Sequence, residues 1–264
     1  MLRPHEPPPV EVLREDVRSR LVLVCDHASN RIPEALGTLG VSDDDRATHI
    51  GWDIGAAVVA RHMSALLDAP LVLAGYSRLA VDVNRPTDAP SAMPEVSGGV
   101  PIPGNHGLDE AARAARIQAM FAPYHAAITR LLDARAALPG GPVLLAIHSF
   151  TPELLGQKRP WHVGTLYGVD ARLARAFYER LVADPALCVG DNEPYRVSKG
   201  SDYTLPVHGE ERGILHTAIE IRQDGVASEE GARGWAERLA GIWGEIIGSL
   251  GAGTDCPEPQ LPMP

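Results

Sequence analysis

The residues most able to do chemistry sit in five short clusters beside apolar runs. Asp26-His27-Ala28-Ser29-Asn30 follows Leu21–Cys25, and His148-Ser149 follows Val143–Ile147. Asp82, Asn84 and Arg85 close Leu79–Val83, Glu220 lies within Thr217–Ile221, and Asp53 opens a helical pattern. Two strand-end histidines plus a carboxylate are what a hydrolytic zinc site requires, because zinc takes three protein ligands and leaves a fourth position for water. Such a water reaches a pKa near ~7 and attacks a carbonyl. A separate carboxylate must take its proton and pass it to the leaving nitrogen. Glu220 suits that task, since a charge between Ile219 and Ile221 is costly without a purpose. The competing reading is an outward-facing strand residue paired with Arg222. His27 alone could be a strand-end histidine bonded to backbone; His148, in the equivalent place on another strand, favours the metal. His62 and His125 lie inside helical patterns and read as packing or surface residues. His208, in Tyr203-Thr-Leu-Pro-Val-His208-Gly-Glu, has loop character and stays open.

These clusters need elements to gather them. Leu21–Cys25, Leu71–Gly75, Leu79–Val83, Val143–Ile147, Val163–Tyr167 and Thr217–Ile221 have the length and content of strands. Helical spacing runs over Asp53–Leu67, Asp109–Leu138, the Leu173/Phe177/Leu181 set and Gly231–Ile247. Pro123 should kink or split the second of these. Strands alternating with long helices predict an α/β fold, and its sheet should be largely parallel or mixed. Such sheets place ligands at the carboxyl ends of their strands, where the five clusters lie.

The chain has 264 residues, 45% of them hydrophobic and 22% charged, with 24 Lys+Arg against 34 Asp+Glu and a formal net charge of −10. That composition buries an ordinary core and excludes wholesale disorder. The acidic balance argues against a broad nucleic-acid face. No apolar stretch reaches the roughly 18–20 residues of a membrane helix. The start of the chain is proline-rich without an apolar signal region. Cys25, Cys188 and Cys256 are too scattered for a disulfide framework, so a reducing, cytoplasmic setting is expected. Residues 1–19 read as an exposed lead-in, 20–250 as one catalytic domain and 251–264 as a Pro/Gly-rich tail.

Taken in order, Asp26-His27-Ala28-Ser29-Asn30-Arg31-Ile32-Pro33, Trp52-Asp53-Ile54-Gly55, Ser77–Pro86, His148-Ser149-Phe150-Thr151-Pro152 and Ile219-Glu220-Ile221-Arg222 resemble the N-formylglutamate amidohydrolase family. The resemblance runs from about Leu21 to Ile247. That family is similar in fold to the zinc carboxypeptidases and to the zinc-dependent N-acetylmuramoyl-L-alanine amidases. The resemblance implies a single three-layer domain with a mixed, largely parallel sheet flanked by helices. It also implies one zinc ion and hydrolysis of a small acidic N-acyl amino acid, typically N-formylglutamate.

Carried over residue by residue, the resemblance makes His27 the first metal ligand and His148 the last. The middle ligand is Asp53 or Asn30; Asp53 is favoured because an ionised carboxylate suits zinc better than an amide oxygen. Asn30 then orients Asp53 or substrate. Glu220 resembles the carboxypeptidase general base, and Asn84-Arg85 resembles the pair that grips the substrate carboxylate, a role a guanidinium fork suits on its own geometry. Arg78 polarises the scissile carbonyl or binds a second carboxylate, and His208 joins the substrate pocket. The competing readings are an Asp82–Arg85 pair and a surface Arg78. The first motif departs from the family's usual Pro-His-Ser-Gly, and Asp26 is expected to hold His27. The Asp191–Tyr195 and Asp202–Thr204 loops are expected to line the pocket, in no assigned role.

Three other readings stay open. One is a metal-free ligand-binding protein on the same fold. Another is a zinc amidase or carboxypeptidase acting on a different amide. The third is serine chemistry at Ser149, which lacks a Gly-x-Ser-x-Gly elbow. Another divalent metal, such as iron, manganese or cobalt, can replace zinc among imidazole and carboxylate ligands.

Overall fold

The computed structural model describes residues 1–250, so the expected tail 251–264 lies outside the described residues. Seven strands form the central sheet: β1 (Val10–Leu13), β2 (Leu21–Cys25), β3 (Leu71–Ala74), β4 (Val143–Phe150), β5 (Val163–Leu166), β6 (Val189–Asp191) and β7 (Leu215–Arg222). Their spatial order is β1-β3-β2-β4-β7-β5-β6. The four central strands β3, β2, β4 and β7 run parallel. β1 and β5 are antiparallel to their central neighbours, and β6 runs parallel to β5. The sheet is thus mixed and largely parallel.

Helices cover both faces, which is why β2 and β4 are buried along their whole length. Leu21, Leu23, Cys25, Leu145 and Ile219 point into one core layer, beneath α1 (Ala56–Leu67), α4 (Arg172–Leu181) and α5 (Glu229–Ile246). Val22, Val24, Leu144 and Ala218 point the opposite way, as strand alternation requires. They meet a long helix built from α2 (Glu110–Arg116), a π-helical turn (Ile117–Phe121) and α3 (Ala122–Asp133). Among the described residues, no helix is long and apolar enough to cross a membrane.

Three expectations are corrected. Leu79–Val83 is not a strand but a run of turns. Its apolar side chains are buried, yet its carbonyls bond to side chains: Ala80 O accepts from Arg116 Nη1 at 3.0 Å and Leu79 O from Asn105 Nδ2 at 2.9 Å. The lead-in is not wholly exposed, because Val10–Leu13 pairs with β3 as an edge strand. Of the kink or split expected at Pro123, the split does not occur, because helix runs on through it. The turn before it widens instead, with the Ala122 N–H reaching back to Ile117 O, and Pro123 falls where its missing N–H costs least.

Close approach demands a glycine just after Asp53. Gly55 opens α1 with φ 79°, and a Cβ there would lie 2.2 Å from the carbonyl oxygen of Val226. The chain therefore turns sharply just after Asp53 and presses against the segment that follows β7.

Candidate active site

The carboxyl ends of β2, β4 and β7 lie along one edge of the sheet, and the site is built there. His27 follows β2 by two residues. His148 and Glu220 are directly opposite each other on β4 and β7. Asp53 arrives from the turn before α1, its N–H donating to His27 O at 3.0 Å. All four side chains are nearly inaccessible to solvent.

Both imidazoles present Nδ1 to the same carboxylate oxygen. Asp53 Oδ2 lies 3.3 Å from His27 Nδ1 and 2.8 Å from His148 Nδ1. One donor atom from each residue falls within a 4.8 Å span. Imidazole nitrogens and a carboxylate at such spacing suit a divalent metal.

The outward nitrogens have partners of their own. His27 Nε2 lies 2.8 Å from Asp82 Oδ1, and His148 Nε2 lies 3.0 Å from Asp26 Oδ2. A carboxylate against Nε2 keeps the hydrogen on that nitrogen and leaves Nδ1 to face the shared centre. Both aspartates are themselves held. Tyr124 and Thr204 each donate a hydroxyl to Asp26 Oδ1 at 2.8 Å. Arg78 grips Asp82 Oδ2 through Nε at 3.0 Å and Nη2 at 2.7 Å, and its Nη1 lies 3.6 Å from Asp53. Asp26 therefore serves His148 rather than His27, its neighbour in sequence. Asp82 pairs with Arg78 rather than with Arg85, which pairs with Asp202 at 3.1 Å.

The electrostatics separate Glu220 from the other acids. Burial alone would raise Asp26, but the bonds and charge of His148 hold it down to about 2. Burial acts likewise on Asp53 and Asp82, and the cations around them win, leaving both well below the ordinary carboxylate range. Burial would lower His148, but Asp26 and Asp53 push it well up. At Glu220 burial outweighs the charges of His148, His27 and Arg78 and raises its carboxyl to about 7, and among the described residues its buried Oε2 has no hydrogen-bond partner.

His27, Asp53, His148, Glu220, Arg78, Asn84 and Arg85 line one cavity of about 270 Å³. Asn30 and His208 are not among the residues that line it. The His208 ring stacks on His125 at 5.1 Å, with Nε2 2.9 Å from His125 Nδ1, and burial lowers both histidines, to about 3 and about 4. His208 is thus spent on packing behind the wall. Asn84 and Arg85 reach the cavity but also brace its rim. Asn84 Oδ1 accepts the N–H groups of Tyr203 and Thr204, and Arg85 bonds the Ser201 carbonyl. Ser149 Oγ donates to Ile54 O at 2.7 Å and, among the described residues, hydrogen-bonds no imidazole. Its hydroxyl anchors the entry to α1. Sequence reasoning gave Tyr124, in a helical pattern, no part in the site, and gave Thr204 a place in a pocket loop but no role.

A family model described as N-formylglutamate amidohydrolase matches residues 19–227. Among solved structures, a gene product of Agrobacterium tumefaciens is 38% identical, with a TM-score of 0.90 over 94% of this chain and 98% of that one. An N-formylglutamate amidohydrolase from Ralstonia eutropha shares the fold at 18% identity, with a TM-score of 0.67 over 93% of this chain and 99% of that one. No curated protein matches the sequence.

Proposed function

Because the chain belongs to the N-formylglutamate amidohydrolase family, we propose that it hydrolyses the amide of a small acidic N-acyl amino acid, N-formylglutamate first among them. In this reading His27, Asp53 and His148 hold one divalent metal ion, zinc in the first instance. The observation that carries it is Glu220: a buried carboxyl with an unpartnered oxygen, level with His148 on the next strand.

When bound, the metal supplies Lewis acidity to a water and to the scissile carbonyl oxygen. The remaining chemistry belongs to the chain. Glu220, poised near neutrality, takes a proton from the attacking water and returns it to the leaving nitrogen. Arg78 stands beside Asp53 with its guanidinium fixed by Asp82, in place to stabilise negative charge developing on the carbonyl oxygen. Asp26 and Asp82 hold the two imidazole rings in one orientation and one tautomer. Leu166, Leu205 and Ala218 give the cavity an apolar side that limits water.

Asp53 Oδ2, 3.3 Å from His27 Nδ1 and 2.8 Å from His148 Nδ1, supports a metal-holding site over a metal-free ligand pocket. A reducing, cytoplasmic setting belongs with this reading, and the free thiols of Cys25 and Cys188 suit it. The test is metal analysis of the purified chain, followed by formate release from N-formyl-L-glutamate. About one metal per chain and formate release that a chelator abolishes are expected. A chain that takes up no metal, or hydrolyses without one, overturns the mechanism. Cleavage of other amides but not of this one overturns the substrate.

A further inference from the structure

Three arginines line the cavity: Arg78, Arg85 and Arg196. Two of them are already committed. Arg78 gives Nε and Nη2 to Asp82 and approaches Asp53 with Nη1. Arg85 Nη1 is shared among the carbonyls of Asn84 and Ser201 and the carboxylate of Asp202. Each thus already faces a resident carboxylate, Arg85 through Nη1 alone. Arg196 is exposed, and among the described residues it has no hydrogen-bond or ion-pair partner. Its guanidinium offers its full fork of donors with nothing to displace.

The segment that carries Arg196 is tied down on both sides. Before it, the Asn192 N–H donates to Thr165 O at 3.0 Å, and Asn192 Oδ1 accepts from the Tyr167 N–H at 3.0 Å. Arg159 donates to the Tyr195 hydroxyl at 2.7 Å and lies 4.8 Å from its ring. After it, Asp202 Oδ2 accepts the Ser198 N–H at 3.0 Å while Oδ1 pairs with Arg85. Such anchoring lowers the ordering cost of a charged contact. Arg78 stands against Asp53, whereas Arg196 lines the same cavity and is exposed.

We propose that Arg196 reads the side-chain carboxylate of the substrate. Preference for acidic over neutral amino acids then resides in the Asn192–Asp202 loop, and Asn84 and Arg85 act mainly by holding that loop. The inference rests on the hydrolase reading for its substrate class.

The test compares N-formyl-L-glutamate with N-formyl-L-glutamine, which differ in that one carboxylate. Arg196→Ala should lower the ratio of their kcat/KM values roughly 10–100-fold, as expected for losing a charge-assisted contact. Arg196→Lys should restore part of that ratio. An unchanged ratio in Arg196→Ala overturns the proposal, as does a selective loss in Arg85→Ala alone. Direct binding separates this from a failure of the hydrolase reading. If neither formyl compound is cleaved, calorimetry of the metal-loaded protein with L-glutamate and L-glutamine still decides. Tighter binding of L-glutamate that Arg196→Ala removes supports the proposal. Equal or absent binding of both by the unaltered protein overturns it.

Discussion

Glu220 and His148 occupy the same level on neighbouring parallel strands, each the direct register partner of the other. Main-chain hydrogen bonds rather than a loop therefore set the distance between the proposed proton carrier and a proposed metal ligand. Side chains at such paired positions share a face of the sheet. The rigidity suits a site in which a misplacement of about 1 Å can cost on the order of a hundredfold in rate.

Replacing the carboxyl should separate these two roles. Glu220→Gln keeps the shape and removes the proton carrier. We expect kcat for N-formylglutamate to fall about 10²–10⁴-fold, with metal content per chain unchanged. Simultaneous loss of metal would make Glu220 a ligand instead.

Ligands and the groups that hold them should behave differently. His27→Ala, His148→Ala and Asp53→Ala should abolish tight metal binding outright. Asp26→Asn and Asp82→Asn, which lose the carboxylate charge against Nε2, should weaken metal affinity about 10–100-fold and still saturate at high metal. Competition titration against a colorimetric chelator distinguishes the two classes. Equal losses in both classes would contradict the assignment.

Glu220 also ties stability to pH in the metal-free protein. Its carboxyl moves from an ordinary 4.5 to about 7 on folding. Between those values the unfolded chain has released this proton while the folded chain still binds it. Stability therefore falls as pH rises through this window, then levels off above the folded pKa. Glu220→Gln lacks this contribution. In urea melts with chelator present, the variant's stability relative to the parent should climb between about pH 5 and about pH 8 and be flat beyond. A difference that does not vary with pH would mean Glu220 is ionised throughout.

The turn before α1 is open to a steric test. A methyl at Gly55 would meet the Val226 carbonyl at 2.2 Å from a backbone already at φ 79°. Gly55→Ala should cost about 1–3 kcal/mol in a thermal or urea melt. It should also weaken metal binding, because Asp53 lies two residues away. Undiminished metal affinity would show that Asp53 is positioned independently of this turn.

Most of the frame is legible in the sequence because buried parallel strands write themselves as unbroken apolar runs. Leu21–Cys25 is read off residue for residue. The failures have physical causes. Leu79–Val83 is apolar because it is buried, but its backbone is satisfied by Arg116 and Asn105 rather than by a ladder, and apolar runs report burial before they report conformation. β1 and β6 are short edge strands whose partners lie far away in sequence. Candidate ligands stand out by type and place, but which aspartate serves which histidine does not. Asp26 and His27 are adjacent in sequence, yet Asp26 reaches His148. Both lie in the turn after β2, where neighbours in sequence need not share a direction, so sequence proximity misleads there.

The π-helical turn at Ile117–Phe121 has a bearing on how this helix tolerates change. On an uninterrupted α-helix, Arg116 and Tyr124 would project about 80° apart. The widened turn absorbs one residue and brings them to within about 20°. Arg116 can then bond the Ala80 carbonyl, two residues from Asp82, while Tyr124 bonds Asp26. One helix face thus supports the aspartates behind both histidines. Deleting a single residue at Gln118 would regularise the helix and leave the two side chains about 20° apart, so both anchors would keep their targets. The wide turn hides a surplus residue: winding all the present residues into a regular α-helix, not shortening the chain by one, would swing one anchor off its target.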